Sequence, residues 1–118
     1  MPVPVVLLVD DERDFRDERE HIVARTSAYA LDILSALRAT GQPVSELWLD
    51  HDLGGDDTTM RIVDMLSEAA AFGDPYPVGN IYVHSMNNVG NQQIRRSLQN
   101  YGYRVQHVKA IDWLTVKG

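Results

Sequence analysis

The chain has 118 residues, no cysteine and a formal net charge of −6, which suits one domain with a core that needs no disulfides. Thiol catalysis, a disulfide framework and a Cys-ligated zinc site are excluded, and the acidic balance speaks against binding to double-stranded DNA. No stretch approaches the roughly 20 apolar residues of a membrane span, and "MPVPVVLLVDDER" lacks the basic start and cleavage site of a signal peptide; a cytoplasmic protein without membrane association is expected.

Val5–Val9 is a continuous β-branched and leucine run, the pattern of a strand buried on both faces. "DERDFRDERE" follows, with Phe15 its only large apolar residue. It offers no core-facing stripe and reads as a loop with at most one helical turn. "HIVAR" (21–25) reads as a second strand. Thr26 or Ser27 then caps a helix whose apolar face is Tyr29, Leu31, Ile33, Leu34 and Leu37, ended by Gly41 and Pro43. "LWLD" (47–50) is a third strand. Gly54 and Gly55 make a turn, and Thr58 caps a helix with Met60, Val63, Leu66 and Ala70 at helical spacing. Asp56 and Asp57 read as a charge pair favouring that helix's N-terminal dipole. "NIYVH" (80–84) is a fourth strand, and "SMNNVG" a loop. A third helix carries Ile94, Leu98 and Tyr101, with Gly102 just past its end. "YRVQHV" (103–108) alternates polar and apolar like an edge strand.

Strands alternating with helices predict an α/β fold, a single doubly wound five-stranded parallel sheet covered by helices on both faces. Ligands of such sheets bind beyond the carboxyl ends of the strands. Dense polar groups follow the first strand (Asp10, Asp11), the third (Asp50, His51, Asp52) and the fourth (His84, Ser85, Asn87), and Lys109 follows the fifth. The fold is expected to gather these segments at one edge. Carboxylates collected at one point repel and need a cation. Oxygen ligands select a hard ion such as Mg²⁺, with Mn²⁺ the alternative, and Mg²⁺ usually also binds phosphate. Asp10, Asp11 and Asp50 are the candidate metal ligands. Ser85 and Lys109 are placed to contact phosphate oxygens, and a carboxylate such as Asp50 is also a candidate nucleophile toward phosphorus.

"VVLLVDDE", "LWLD", a serine after the fourth strand and a lysine after the fifth resemble the phosphoacceptor site of response-regulator receiver domains, over about residues 3–110. The resemblance implies strand order 2-1-3-4-5, Asp10 and Asp11 as the acid pair, Asp50 as the phosphoacceptor and Asp52 as a metal ligand through its backbone carbonyl. Departures accompany it. The link between the first two strands is too short for an ordinary helical crossover, so the first helix is eroded. Ala110 follows Lys109 where receivers usually have proline. The last helix is short or missing, and with it the usual output surface. His51 and His84 stand where receivers have apolar residues.

"LDHDLGG" followed by "VHSMNNVG" in such a layout is similar to the divergent cyclic-phosphate-processing receiver domains. That resemblance implies metal-dependent phosphoesterase activity on cyclic phosphates, in RNA-repair or phage and bacterial conflict settings. The partner is then a phosphate-containing small molecule or an RNA end, with a host protein a further candidate. An imidazole titrating near neutral pH can give or take the proton such a reaction needs. His84 ranks first for acid/base work and His51 second; Asn87 and Asn88 orient substrate. Two readings compete: a stand-alone phosphoacceptor signalling module, and a non-enzymatic nucleotide- or host-protein-binding module. A haloacid-dehalogenase-like phosphatase fits less well, because its Asp-x-Asp motif belongs on the first strand. His21 and His107 read as structural or exposed, Trp48 and Trp113 as core or partial surface, and the acids of 14–20 as a solvated face.

Overall fold

The computed structural model describes residues 4–116. The apolar run Val5–Val9 forms strand β1. Its alternate side chains enter two separate cores, Leu7 and Val9 on one face and Val6 and Leu8 on the other. The same division runs through β4 (Val44–Leu49), where Leu47 and Leu49 face one way and Trp48 the other. Between them in the chain come β2 (Arg13–Phe15), β3 (Ile22–Ala24) and helix α1 (Ser27–Ala39). After β4 follow α2 (Met60–Ala71), β5 (Val78–Val83), α3 (Asn88–Asn100) and β6 (Arg104–His107). The short α4 (Ala110–Trp113) and β7 (Leu114–Val116) come last.

Five strands form one parallel sheet in the order β3-β1-β4-β5-β6, the receiver-like arrangement. Leu8 stands beside Trp48, and Trp48 beside Tyr82. Helices α1, α2 and α3 all pack on one face, where Leu34, Ile62, Leu66, Ile94 and Leu98 close over Leu7, Leu47, Leu49 and Ile81. No helix among the described residues is long and apolar enough to cross a membrane.

The opposite face differs from what helical periodicity suggests. The acidic segment read as a loop contains β2, which pairs antiparallel with β7 in a two-stranded ribbon. Phe15 and Leu114 face each other across this ribbon and are both buried, against Val6, Leu8, Trp48 and Ala110. The Phe15 ring meets Trp48 edge-on at 5.0 Å, and Trp48 stacks on Tyr82 at 4.6 Å. One phenylalanine among acids is therefore the plug of a second core. The eroded first helix is replaced by a strand, and the short last helix leads into that strand's partner.

A second difference concerns Asp57. Its carboxylate accepts from the backbone N–H of Ser27 at 2.8 Å and from the Ser27 hydroxyl at 2.5 Å. It thus serves the N-terminus of α1 as well as the segment that leads into α2, through Thr58 and Arg61. Burial alone raises the Asp57 carboxyl, but these hydrogen bonds and the Arg61 charge outweigh it and hold it low. Gly54 and Gly55 make the expected turn with positive φ of 89° and 55°, a conformation glycine adopts without strain.

Candidate functional site

The carboxyl ends of β1, β4 and β5 lie side by side in the sheet, so the residue after each strand lands at one edge. Those residues are Asp10, Asp50 and His84. The backbone continues the ladder there: Asp50 N–H donates to the Val9 carbonyl and His84 N–H to the Leu49 carbonyl, at 3.0 and 3.1 Å. Each of the three side chains offers a ligand atom, and these atoms lie within 4.8 Å of one another. All three residues are buried. Asp10 Oδ2 lies 2.9 Å from His84 Nε2, and Asp10 Oδ1 accepts from the N–H groups of Glu12 and Arg13 at 2.9 and 2.8 Å.

The family model for the cyclic-phosphate processing receiver domain matches residues 5–100, which carry all three of these side chains. The chain belongs to this family. No curated protein and no solved structure gives a match.

Within this receiver domain the two buried carboxyls are driven in opposite directions. Burial alone raises Asp10, but the hydrogen bonds from His84, Glu12 and Arg13 outweigh it and leave Asp10 below the usual carboxylate range. Asp50 has no such donors among the described residues. Burial pushes it above its usual value, the Asp10 and Asp11 charges add to the rise, and His84 and Arg13 only partly oppose it. An ionised Asp10 can only accept, so His84 Nε2–H donates to it. His84 Nδ1 is then buried without a partner among the described residues.

Arg13, which sequence reasoning missed, sits between the acids. Its guanidinium is 3.7 Å from Asp10 Oδ2 and 3.8 Å from Asp50 Oδ2. Arg25, just past β3, supports this turn by donating to the carbonyls of Arg13 and Asp10 and to the Asp14 carboxylate. The only sequence signal for Arg13 is its position three residues past Asp10. Without the ribbon that position carries no direction.

The donor set can be tested against a cation. Two carboxylate oxygens and one imidazole nitrogen within 4.8 Å can converge on one divalent ion once Nε2 gives up its proton. One nitrogen among the donors suits Mn²⁺ at least as well as Mg²⁺. This set exchanges Asp11 for His84 relative to the acid set suggested by sequence. Asp11 is exposed, its carboxylate reaching toward Gly54. Asp52 is exposed too, and its side chain is turned to His51.

His51 lies next to Asp50 in the chain but faces α3. Its Nδ1 is 3.0 Å from Asp52 Oδ1, its Nε2 has no partner among the described residues, and its side chain keeps 13% exposure. The ring rests directly on Gly90: a Cβ there would lie 2.5 Å from the His51 ring. The sequence gives no hint of this dependence, since Gly90 and His51 come together only through packing.

The loop after β5 is organised by its own side chains. Ser85 Oγ accepts from Asn87 N–H at 3.0 Å, and Asn87 Oδ1 accepts from Gly90 N–H at 2.9 Å, capping α3. Buried Asn91, also missed, donates to the Ser85 carbonyl at 2.6 Å. Asn88 and Lys109 are exposed and line a cleft of about 460 Å³ that reaches His84 and Ser85. His107 lines the same cleft. A cavity of about 540 Å³ lies at the other end of the sheet, lined by Val5, Arg19 and Ile22 near the strand starts. Its position, away from the carboxyl ends, separates it from the polar centre despite its size.

Proposed function

We propose that this receiver domain hydrolyses cyclic phosphate esters of nucleotides or RNA ends with a divalent cation, Mg²⁺ or Mn²⁺, at Asp10, Asp50 and His84. The carrying observation is the buried Asp10–Asp50–His84 group at the carboxyl edge of the sheet, in a chain of the cyclic-phosphate processing family. A cation held there supplies positive charge against phosphate oxygens as their charge grows.

Water adds across one ring P–O bond. Its oxygen goes to phosphorus, one proton goes to the leaving ring oxygen, and the product is a monoester beside a free hydroxyl. The proton carrier must meet both solvent and substrate. His84 has a side chain with no exposure and donates to Asp10, so it holds the centre. His51 has an open Nε2 and an Asp52 carboxylate behind Nδ1, which fixes the tautomer. This reverses the order in which the sequence ranks the two histidines. Ser85, Asn88 and Lys109 line the cleft that reaches His84 and, with Asn87, bind substrate, the Lys109 ammonium supplying charge to the phosphate.

The test is incubation of the purified chain with 2′,3′-cyclic nucleotides, with and without Mg²⁺ or Mn²⁺, followed by phosphorus NMR. The expected result is a metal-dependent monoester signal, abolished in Asp50→Asn and strongly reduced in His51→Ala. No turnover across a broad panel of cyclic phosphates, with metal bound, overturns the proposal. A stable phosphoryl group on Asp50 after treatment with a small phosphodonor, without turnover, replaces it with the signalling reading.

A further inference from the structure

The cleft beside His84 and Ser85 is larger than a phosphoryl group needs. About 460 Å³ is within the range of pockets that hold whole small molecules. Its walls are uneven in chemistry. Met86 from the loop after β5 and Ile111 from α4 both line it, and they stand 83% and 73% exposed. Large apolar side chains left open at the mouth of a polar site are what a ligand would cover. Val108 adds to the apolar wall. Asn88 and His107 bring hydrogen-bonding groups to the same space, and Lys109 brings its one cation.

Resting on the hydrolytic reading above, we infer that this cleft receives the heteroaromatic base of a single nucleotide whose cyclic phosphate lies at Asp10, Asp50 and His84. A flat base has two apolar faces and a polar edge. Met86, with a flexible polarisable thioether, and Ile111 suit the faces. The His107 ring offers a further stacking surface. The amide of Asn88 suits the edge. Lys109 lines the same cleft as His84 and Ser85 and supplies its positive charge. A sugar phosphate without a base would leave the apolar walls uncovered. A long nucleic acid would need a basic track along its backbone, and one lysine in the cleft of a chain with net charge −6 does not provide one. The substrate is therefore recognised one nucleotide at a time.

Two ligands decide the matter: adenosine 2′,3′-cyclic phosphate and methyl riboside 2′,3′-cyclic phosphate, which keeps the sugar and phosphate but has no base. Each is titrated into the chain carrying ¹³C-labelled Met and Ile methyls, and turnover of each is followed by phosphorus NMR. The expected result is that the adenosine compound shifts the Met86 and Ile111 methyl signals and is preferred in kcat/KM by about tenfold or more, the scale of discrimination an apolar pocket supplies. The exposed-site double variant Met86→Asp with Ile111→Asp is expected to remove most of that preference. If both compounds are turned over equally and the two methyls do not move, the base cleft is overturned while the phosphate centre stands. If neither compound binds or reacts, both readings fall together.

Discussion

His84 Nε2 lies 2.9 Å from Asp10 Oδ2, and neither side chain reaches solvent. A buried pair of this kind is strongly destabilised when one member is removed, because the other is left without its partner. Asp10 also accepts two backbone N–H groups. Asp10→Ala is therefore expected to lower stability by about 3–5 kcal/mol, read from urea unfolding. The pH dependence follows from the lowered Asp10 carboxyl. Its contribution is complete above the unfolded-state value and is lost as pH falls through the folded-state value. Wild-type stability should decline with acid on this account, and the Asp10→Ala variant should lack that part of the decline. An Asp10→Ala chain as stable as wild type would refute the pairing.

Asp50, a few ångströms away, carries the opposite sign. Its carboxyl is raised, first by burial. A raised carboxyl favours the folded state while protonated, and that advantage is lost as pH rises through the folded-state value. At neutral pH, without metal, ionised Asp50 therefore costs stability. Asp50→Asn is expected to stabilise the chelator-treated protein by about 0.5–2 kcal/mol, as relief of functional-site strain often does. The gain should fade as pH is lowered below the raised value. Thermal unfolding in chelator across pH checks this, and a destabilised variant at neutral pH contradicts it.

The second core gives a prediction of another kind. Phe15 has no exposure and meets both His21 and Trp48 edge-on, at 4.9 and 5.0 Å. It anchors β2, whose partner β7 carries buried Leu114. Phe15→Ala is expected to cost about 3–5 kcal/mol in urea unfolding. A cost near that of a surface change, about 0.5 kcal/mol or less, would mean that the ribbon does not seal this face.

How much of this was legible in the sequence follows from where the determining physics acts. The five parallel strands announce themselves because Val5–Val9 and the later apolar runs are buried on both faces, and the sheet order follows the family pattern. Asp10, Asp50 and His84 stand out because each ends such a run. The ribbon was hidden because strands of three residues are too short to show alternation, and Phe15 is alone among acids. Arg13 was hidden with it, since its direction depends on β2. The bonds from Asp57 to Ser27 were hidden because a partner 30 residues away in sequence shows only once the chain is folded. The buried group contains His84 and not Asp11 for a geometric reason: Asp10 is turned inward by two backbone N–H groups, and Asp11 is exposed.

Gly90 is in the first turn of α3, where alanine would ordinarily favour the helix by roughly 1 kcal/mol. Here an added Cβ would lie 2.5 and 2.6 Å from His51 ring carbons and 3.1 Å from its Cβ. Those atoms are close to the His51 backbone and cannot simply swing aside. Gly90→Ala is expected to destabilise by about 1–3 kcal/mol despite the better helix propensity. It should also displace the His51 ring, seen as a shift of its imidazole NMR signals and as loss of cyclic-phosphate turnover. A more stable Gly90→Ala protein with unmoved His51 signals would contradict the contact.

Arg13 holds a positive charge within 4 Å of Asp10 and Asp50, the same two carboxylates proposed for the cation. Two cations on one pair of acids compete. At an effective dielectric of about 20, unit charges 4 Å apart interact by about 4 kcal/mol, and even a third of that is roughly a tenfold change in affinity. Arg13 is partly exposed, with 24% of its side chain accessible, so it has room to swing outward when metal arrives. Its removal should therefore strengthen metal binding. Arg13→Gln is expected to tighten Mn²⁺ binding by roughly tenfold, measured by electron paramagnetic resonance of the free ion, and to strengthen the salt dependence of that binding, because the site is then more negative. The same variant should be less stable than wild type in chelator, because Asp10 and Asp50 then face each other without a counter-charge. Weaker Mn²⁺ binding in Arg13→Gln would mean that the guanidinium positions the carboxylates for the ion instead of competing with it.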